Sequence, residues 1–210
     1  EIYEELKLAG LLNNERNIYP VVGLVILIIL LMAIVGYELK VYDDRKTLNR
    51  GKAIAILLIS ILMIAFMKMI SLYTTQINQL YVIVPIATGA LLLKQLMRER
   101  IAIVMSIVYA IIGSIIFNGE IPGSLNFEAG IYFFFSQMAA IIFLMNVKDR
   151  LSIVKSGVWM ALVNIVTVLA FIFLSFEKYE MMDIFLISSF AVVSALLSAV
   201  LTLGLLPFFE

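Results

Sequence analysis

VVGLVILIILLMAIV, residues 21–35, carries no charged side chain and reads as hydrocarbon-soluble from end to end. A helix rises about 1.5 Å per residue and a bilayer core is about 30 Å thick, so a span needs roughly 17 to 25 mostly apolar residues. Extended to Ile18 and Tyr37, the run meets that length. Pro20 sits near its start, where a missing N–H costs least. The stretch is too long for the apolar core of a signal peptide.

Working outward, six more segments of this kind follow. The second is Ala53 to Tyr73, with Lys68 in its last third. The third, Leu80 to Leu93, is short, needs Ile77 or Met97 to reach spanning length, and is interrupted by Pro85. Ile101 to Phe117 is the fourth, and the fifth begins at Phe127 or Ile131 and ends at Met145. Between them lies NGEIPGSLNFEAG, whose Asn118-Gly119 and Pro122-Gly123 pairs are turn signals. Gly157 to Phe176 and Ile184 to Leu206 complete the set, the last expected to end against Pro207. The expected fold is therefore all-α, a polytopic membrane protein with a bundle of seven transmembrane helices.

Basic residues orient the bundle, because cytoplasmic loops retain lysine and arginine. Loops after the first, third and fifth spans hold Lys40, Arg45, Lys46, Arg50, Lys52, Lys94, Arg98, Arg100, Lys148, Arg150 and Lys155. The opposite side holds Lys7, Arg16 and Lys178. This asymmetry predicts an N-terminus outside and a cytoplasmic C-terminus.

Composition agrees: 63% of the 210 residues are hydrophobic and only 14% charged, with a mean hydropathy of +1.09, outside the balance of a soluble domain. Fifteen basic and 15 acidic residues cancel, so a basic nucleic-acid surface has no support. Without cysteine or histidine the chain has no disulfides, ordinary zinc sites or histidine-based triads. No catalytic residue, cofactor site or metal ligand set is assigned. Phosphate-cradling glycine motifs are also absent.

A few intramembrane polar positions stand out as candidates for a ligand site: Lys68, Gln137 and Asn164, with Pro85 and Gly89 beside Thr88 as a helix break. An ammonium at the bilayer centre costs about 2.5 to 3.5 kcal/mol on insertion scales. Lys68 lies near enough to Tyr73 to snorkel to the outer interface, or could pair with Glu120, Glu128, Glu177, Glu180 or Asp183. Gln137 and Asn164 read first as interhelical hydrogen bonders, and alternatively as lining of a polar pocket. Ala102, Ser106, Ala110 and Ser114 form one small-residue ridge. Ala191, Ala195 and Ala199, beside Ser194, Ser198 and Thr202, form another. Such ridges let backbones approach within one bundle, and a homodimer interface would leave the same trace.

The segment from Thr88 to Phe171, above all the loop at 118–130, together with SALLSAVLTLGLLPFFE at 194–210, closely resembles the membrane region of bacterial seven-transmembrane HD-domain proteins, the PgpH type of cyclic-di-AMP phosphodiesterase. The resemblance covers nearly the whole chain. It implies an extracellular region before the bundle and, after LPFFE, a cytoplasmic HD domain that cleaves cyclic di-AMP with two metal ions. That family's metal ligands are histidines and aspartates, and this chain has no histidine. These residues are therefore expected to be non-catalytic, a sensor and anchor that relays a signal to the HD domain of the same chain. Expected partners are the lipid bilayer, that domain, and an extracellular or membrane ligand. The expected location is the bacterial cell membrane, as a multi-pass protein. The alternative is a small-solute or ion transporter or channel. The chain opens without methionine and stops at LPFFE, so it is expected to be part of a longer protein. Residues 1–17 would then end an extracellular region, 18–206 form the bundle, and 207–210 begin the connection to the HD domain.

Overall fold

The computed structural model describes residues 18–44, 50–73, 79–118, 125–144, 150–175 and 179–209, and every regular element among them is helical. In chain order these are α1 (Tyr19–Asp44), α2 (Arg50–Ser71), a 3₁₀ turn (Leu80–Ile83), α3 (Ala87–Leu96), α4 (Glu99–Ile116), α5 (Phe127–Phe143), α6 (Arg150–Leu174) and α7 (Met181–Phe209). Five of them, α1, α2, α4, α6 and α7, are long and apolar enough to cross a membrane, while Leu80–Leu96 and Phe127–Phe143 are apolar but shorter.

The third element departs most from a simple span. Its helical part has 10 residues, about 15 Å at helical rise and half a bilayer core. Ala87 through Leu93 are all buried, as expected of a helix that is apolar all round. α3 packs against α2, α4, α5 and α7 and forms the axis of the bundle.

Small residues set the spacing of the surrounding helices. The Ala102–Ser114 ridge of α4 faces α5, where a Cβ added at Gly130 would lie 3.1 Å from Ser114 Cβ and 3.5 Å from the Ala110 carbonyl oxygen. Ala191, Ala195 and Ala199 of α7 are buried and face α6, with Ala199 Cβ 3.0 Å from the position of a Cβ on Gly157. Both ridges are thus used inside the chain. Phe143 and Trp159 stack across α5 and α6 with ring centroids 5.3 Å apart. Gly89 lets α2 and α4 close on the axis, since a Cβ there would meet Met63 Cγ at 2.8 Å and Tyr109 Cε2 at 3.1 Å.

α1 is the exception, scarcely buried along its apolar length. It touches the bundle mainly along α4, leaving a cavity of about 350 Å³ lined by Leu31, Met32, Val35, Gly36, Val108 and Ile112. The helix continues past the expected end at Tyr37 because its next turn still finds partners. Glu38 pairs with Arg100 of α4, and Tyr42 is buried under Lys52, whose Nζ lies 5.9 Å from the ring centroid. The expected stop at Pro207 is likewise corrected, since α7 runs through it to Phe209. In the final turn a proline removes only the bond to the Leu203 carbonyl, and little helix remains to be disrupted.

At Gly113 an added Cβ would overlap the ring of Phe133. That ring cannot give way, because it is fully buried among Tyr81, Phe117 and Tyr132 at centroid distances of 5.7 to 6.3 Å. Gly113→Ala should therefore destabilise the bundle by about 1 to 3 kcal/mol. Gly23→Ala, with nothing within 4 Å, should be neutral. Thermal unfolding of both variants in detergent checks the contrast.

Candidate functional site

Pro85 has no N–H to donate, so the backbone between the 3₁₀ turn and α3 cannot continue as helix. Val84 is extended, with φ −61° and ψ 122°. Water would satisfy the freed carbonyls at a surface, but at membrane depth irregular backbone is tolerated only where protein groups or an internal cavity replace it. Neighbouring hydroxyls do so here. Tyr132 of α5 donates to the Val82 carbonyl at 2.9 Å, and Ser194 of α7 donates to that of Val84 at 2.7 Å. Local turns engage Val84, Pro85 and Ile86, whose carbonyls accept from Ile86, Thr88 and Gly89 N–H at 2.8, 3.2 and 3.2 Å. One helical turn on, Thr88 Oγ1 donates to the Ser198 carbonyl at 3.4 Å. Tyr132, Thr88, Ser194 and Ser198 are all buried, so the interrupted segment is a sealed polar seam inside an apolar bundle.

The seam continues to the end of the bundle where α5 and α7 begin. Tyr81 donates to Glu128 Oε2 at 3.3 Å, and Gln79 Nε2 donates to the Tyr179 hydroxyl at 2.6 Å. Gln79 has φ 66°, the only positive φ at a non-glycine among the described residues, in a region that disfavours most side chains. Tyr81 meets Phe117, Tyr132 and Phe133 edge to face, with centroids 5.9 to 6.3 Å apart. Asn126 closes the α4–α5 connection. Its side chain accepts from Ala129 N–H at 2.9 Å as an N-cap and donates to the Phe117 carbonyl at 2.9 Å, while its own N–H reaches the Ser114 carbonyl at 2.9 Å.

The sequence-singled residues do not converge. Pro85 and Gly89 sit in the seam, but Gly89 faces Met63 and Tyr109, not a polar space. Gln137 Nε2 donates to the Ser106 carbonyl of α4 at 3.3 Å and to that of Phe133 at 2.9 Å. Asn164 Nδ2 reaches the Ala191 carbonyl of α7 at 3.4 Å. Each amide bridges a different helix pair, and each leaves its side-chain oxygen buried without a partner. Lys68 is exposed in the last turn of α2 and has no ion pair among the described residues. Glu128 instead accepts from Tyr81, and Asp183 accepts from the Glu180 N–H at 3.3 Å. Glu120 and Glu177 lie outside the described residues.

Sequence reading did not single out Tyr132, Tyr81, Gln79 or Asn126, and took Ser194 only as part of a packing ridge. Asn126 had a local signal, an N-capping residue just before an apolar run with an acid in its first turn. The others had none, because pairing Tyr132 with Val82 spans 50 residues and Ser194 with Val84 spans 110. Chemically, the seam offers hydrogen bonds between helices. Among the described residues no group of three acidic, histidine or cysteine side chains could hold a metal ion.

An apolar helical bundle closed around an interrupted axial helix defines a polytopic membrane domain. Residues 18–210 match the family described as 7TM receptor with intracellular HD hydrolase, and the chain belongs to that family. It is 38% identical over 214 residues to the cyclic-di-AMP phosphodiesterase PgpH of Bacillus subtilis (strain 168), aligning over 100% of its own length and 30% of the relative's. It is 25% identical to the protein of the same name from Listeria monocytogenes serotype 1/2a (strain 10403S), over 100% of this chain and 29% of that one. The chain therefore spans about 30% of the length of these curated relatives. No solved structure gives a significant match.

Ser194→Ala leaves the Val84 carbonyl without its side-chain donor, and Tyr132→Phe does the same at Val82. Tyr132→Phe should cost about 1 to 3 kcal/mol, the penalty for stranding a buried carbonyl, and Ser194→Ala about 0.5 to 1.5 kcal/mol, because the Val84 carbonyl keeps the Ile86 N–H. Ser189→Ala removes only an exposed hydroxyl bonded within its own helix and should be silent. Unfolding midpoints of the three variants in one detergent test this ranking.

Proposed function

We propose that this chain is the seven-span sensor and anchor module of a cyclic-di-AMP phosphodiesterase, relaying a signal to a cytoplasmic HD domain of the same protein. The observation that carries the reading is the family match over residues 18–210, supported by two relatives that bear that enzyme's name. Five long helices and two shorter apolar elements supply the seven crossings, with Leu80–Leu96 crossing as a turn plus a half-length helix. Eleven of the 15 basic residues fall in the loops after odd-numbered spans, which orients the N-terminus outward and Glu210 toward the cytoplasm of a bacterial cell. The two metal ions and their histidine ligands belong to the HD domain, since these 210 residues include no histidine.

Relay would run through α7, which borders both the seam and α6. Ser194 bonds the interrupted segment while Ala191 accepts from Asn164, so a shift of α3 is felt along the helix that leads to the C-terminus. Interfaces of small residues permit shifts of about 1 to 2 Å, the usual scale of such switches. A transport path is less well supported. The carbonyls exposed by the helix break, which would coordinate an ion in a transporter, are bonded to Tyr132 and Ser194 instead.

Because the chain has no cysteine, single cysteines report topology without background. In intact cells an impermeant maleimide should label Asn118→Cys and leave Arg98→Cys unlabelled, and the reverse pattern would invert the orientation. In the full-length protein, replacing residues 18–206 with an unrelated seven-span bundle should change the regulation of cyclic-di-AMP hydrolysis in cells. If turnover and its response to growth conditions are the same after the swap, the bundle is an inert anchor.

A further inference from the structure

At the basic end of the bundle, a cavity of about 540 Å³ opens between the start of α2, the end of α3 and the end of α7. Such a volume is in the range of about 300 to 1,000 Å³ typical of ligand sites. One wall is polar. Lys52 is half-buried there, with Tyr42 as its ring contact and no ion pair among the described residues. Gln95 also lines the space, and its Nε2 is buried without a hydrogen-bond partner. The first turn of α2 adds N–H groups that have no helical acceptor, and it contains no acid. Among the described residues no acidic side chain lines the cavity.

The other wall is apolar. Ile54 and Leu58 line the cavity and are also 57% and 48% exposed on the outer surface of α2. The space therefore continues sideways onto the helix face that meets lipid. Leu96 and Phe209, both half-buried, also line it. A cation, an unpaired amide donor and helix N–H groups at one end, with an apolar exit at the other, match an anionic head joined to acyl chains. Basic pockets between transmembrane helices bind acidic phospholipid head groups in this way. We infer that this cavity is a binding site for an anionic glycerophospholipid, with the phosphate at Lys52 and Gln95 and the acyl chains lying along Ile54 and Leu58. The site does not depend on the relay reading, because it requires only that the bundle sit in a membrane.

The test uses the full-length protein in dodecyl maltoside, with thermal unfolding followed as dioleoylphosphatidylglycerol or dioleoylphosphatidylcholine is added and bound lipid counted by native mass spectrometry. The phosphatidylglycerol should raise the midpoint saturably with one lipid retained, and phosphatidylcholine should do so only weakly. Lys52→Gln should weaken the apparent affinity about five-fold, the value of one basic residue near an acidic lipid surface. Gln95→Leu should weaken it in the same direction, and Lys52→Arg should keep the selectivity. Arg98→Gln should have no effect, since Arg98 lines a separate small cleft with Glu38 and Arg100. If Lys52→Gln does not fold, Gln95→Leu and Lys52→Arg still decide the matter. Equal responses to the two lipids overturn the site, as does equal weakening by Lys52→Gln and Arg98→Gln, which would mark diffuse attraction. The same shift with inorganic phosphate would make it a soluble-anion site. Lipid-independent dimers broken by Lys52→Gln would assign the cavity to a second copy of the chain.

Discussion

A carbonyl left unpaired in hydrocarbon costs several kcal/mol, and the architecture of this bundle follows from how it meets that penalty at one place. Pro85 breaks the axial element in the middle of the structure. α5 and α7 lie where they do because Tyr132 and Ser194 must reach Val82 and Val84. α4 and α6 then pack around that trio through small-residue ridges and interhelical amides. The break is thus the feature that fixes the relative register of the helices, which lipid-facing apolar surfaces cannot do, since one lipid-exposed leucine is equivalent to the next.

Five of the seven apolar segments could be read directly, because hydrocarbon thickness imposes a length that sequence displays openly, whereas Leu80–Leu96 and Phe127–Phe143 are apolar but fall short of it. The helix break could be read too, since proline announces itself, and the ridges of α4 and α7 lie at the spacing that places residues on one helix face. What could not be read was which groups answer the break. Tyr132 looks like one aromatic among IYFFF, and Ser194 like one small residue among several on α7. Only packing reveals that their hydroxyls end on carbonyls far away in sequence. Gln137 and Asn164 were visible as polar atoms in apolar runs, and each joins its own neighbour rather than a common pocket. Helix ends were the other blind spot. α1 runs on to Asp44 and α7 through Pro207, because a helix that leaves hydrocarbon need not unwind there.

Polar groups are rationed in this bundle, and their distribution separates two kinds of surface. Inside, hydroxyls and amides bond to backbone carbonyls, so few side-chain pairs bond to each other. Ser60 with Tyr109, across α2 and α4 at 2.9 Å, is one such pair. Near the basic end, ionic contacts replace them, with Arg100 on Glu38 and Lys94 4.0 Å from Glu99. Backbone-directed bonds persist while helices slide by small amounts only if both partners move together. Ion pairs between long side chains stretch more easily. The interior is therefore held mainly by bonds from side chains to backbone carbonyls, and the basic end by ion pairs between side chains.

α1 has 26 residues, about 39 Å at helical rise against a hydrocarbon core of about 30 Å. Its apolar part, Tyr19 to Tyr37, matches that thickness, and the excess is the polar end that carries Glu38, Lys40, Asp43 and Asp44; α1 is fastened along one side only, whereas the helices gripping the broken axis are held by their mutual bonds. The Glu38–Arg100 pair therefore ties α1 to α4 just where the helix emerges from its apolar stretch.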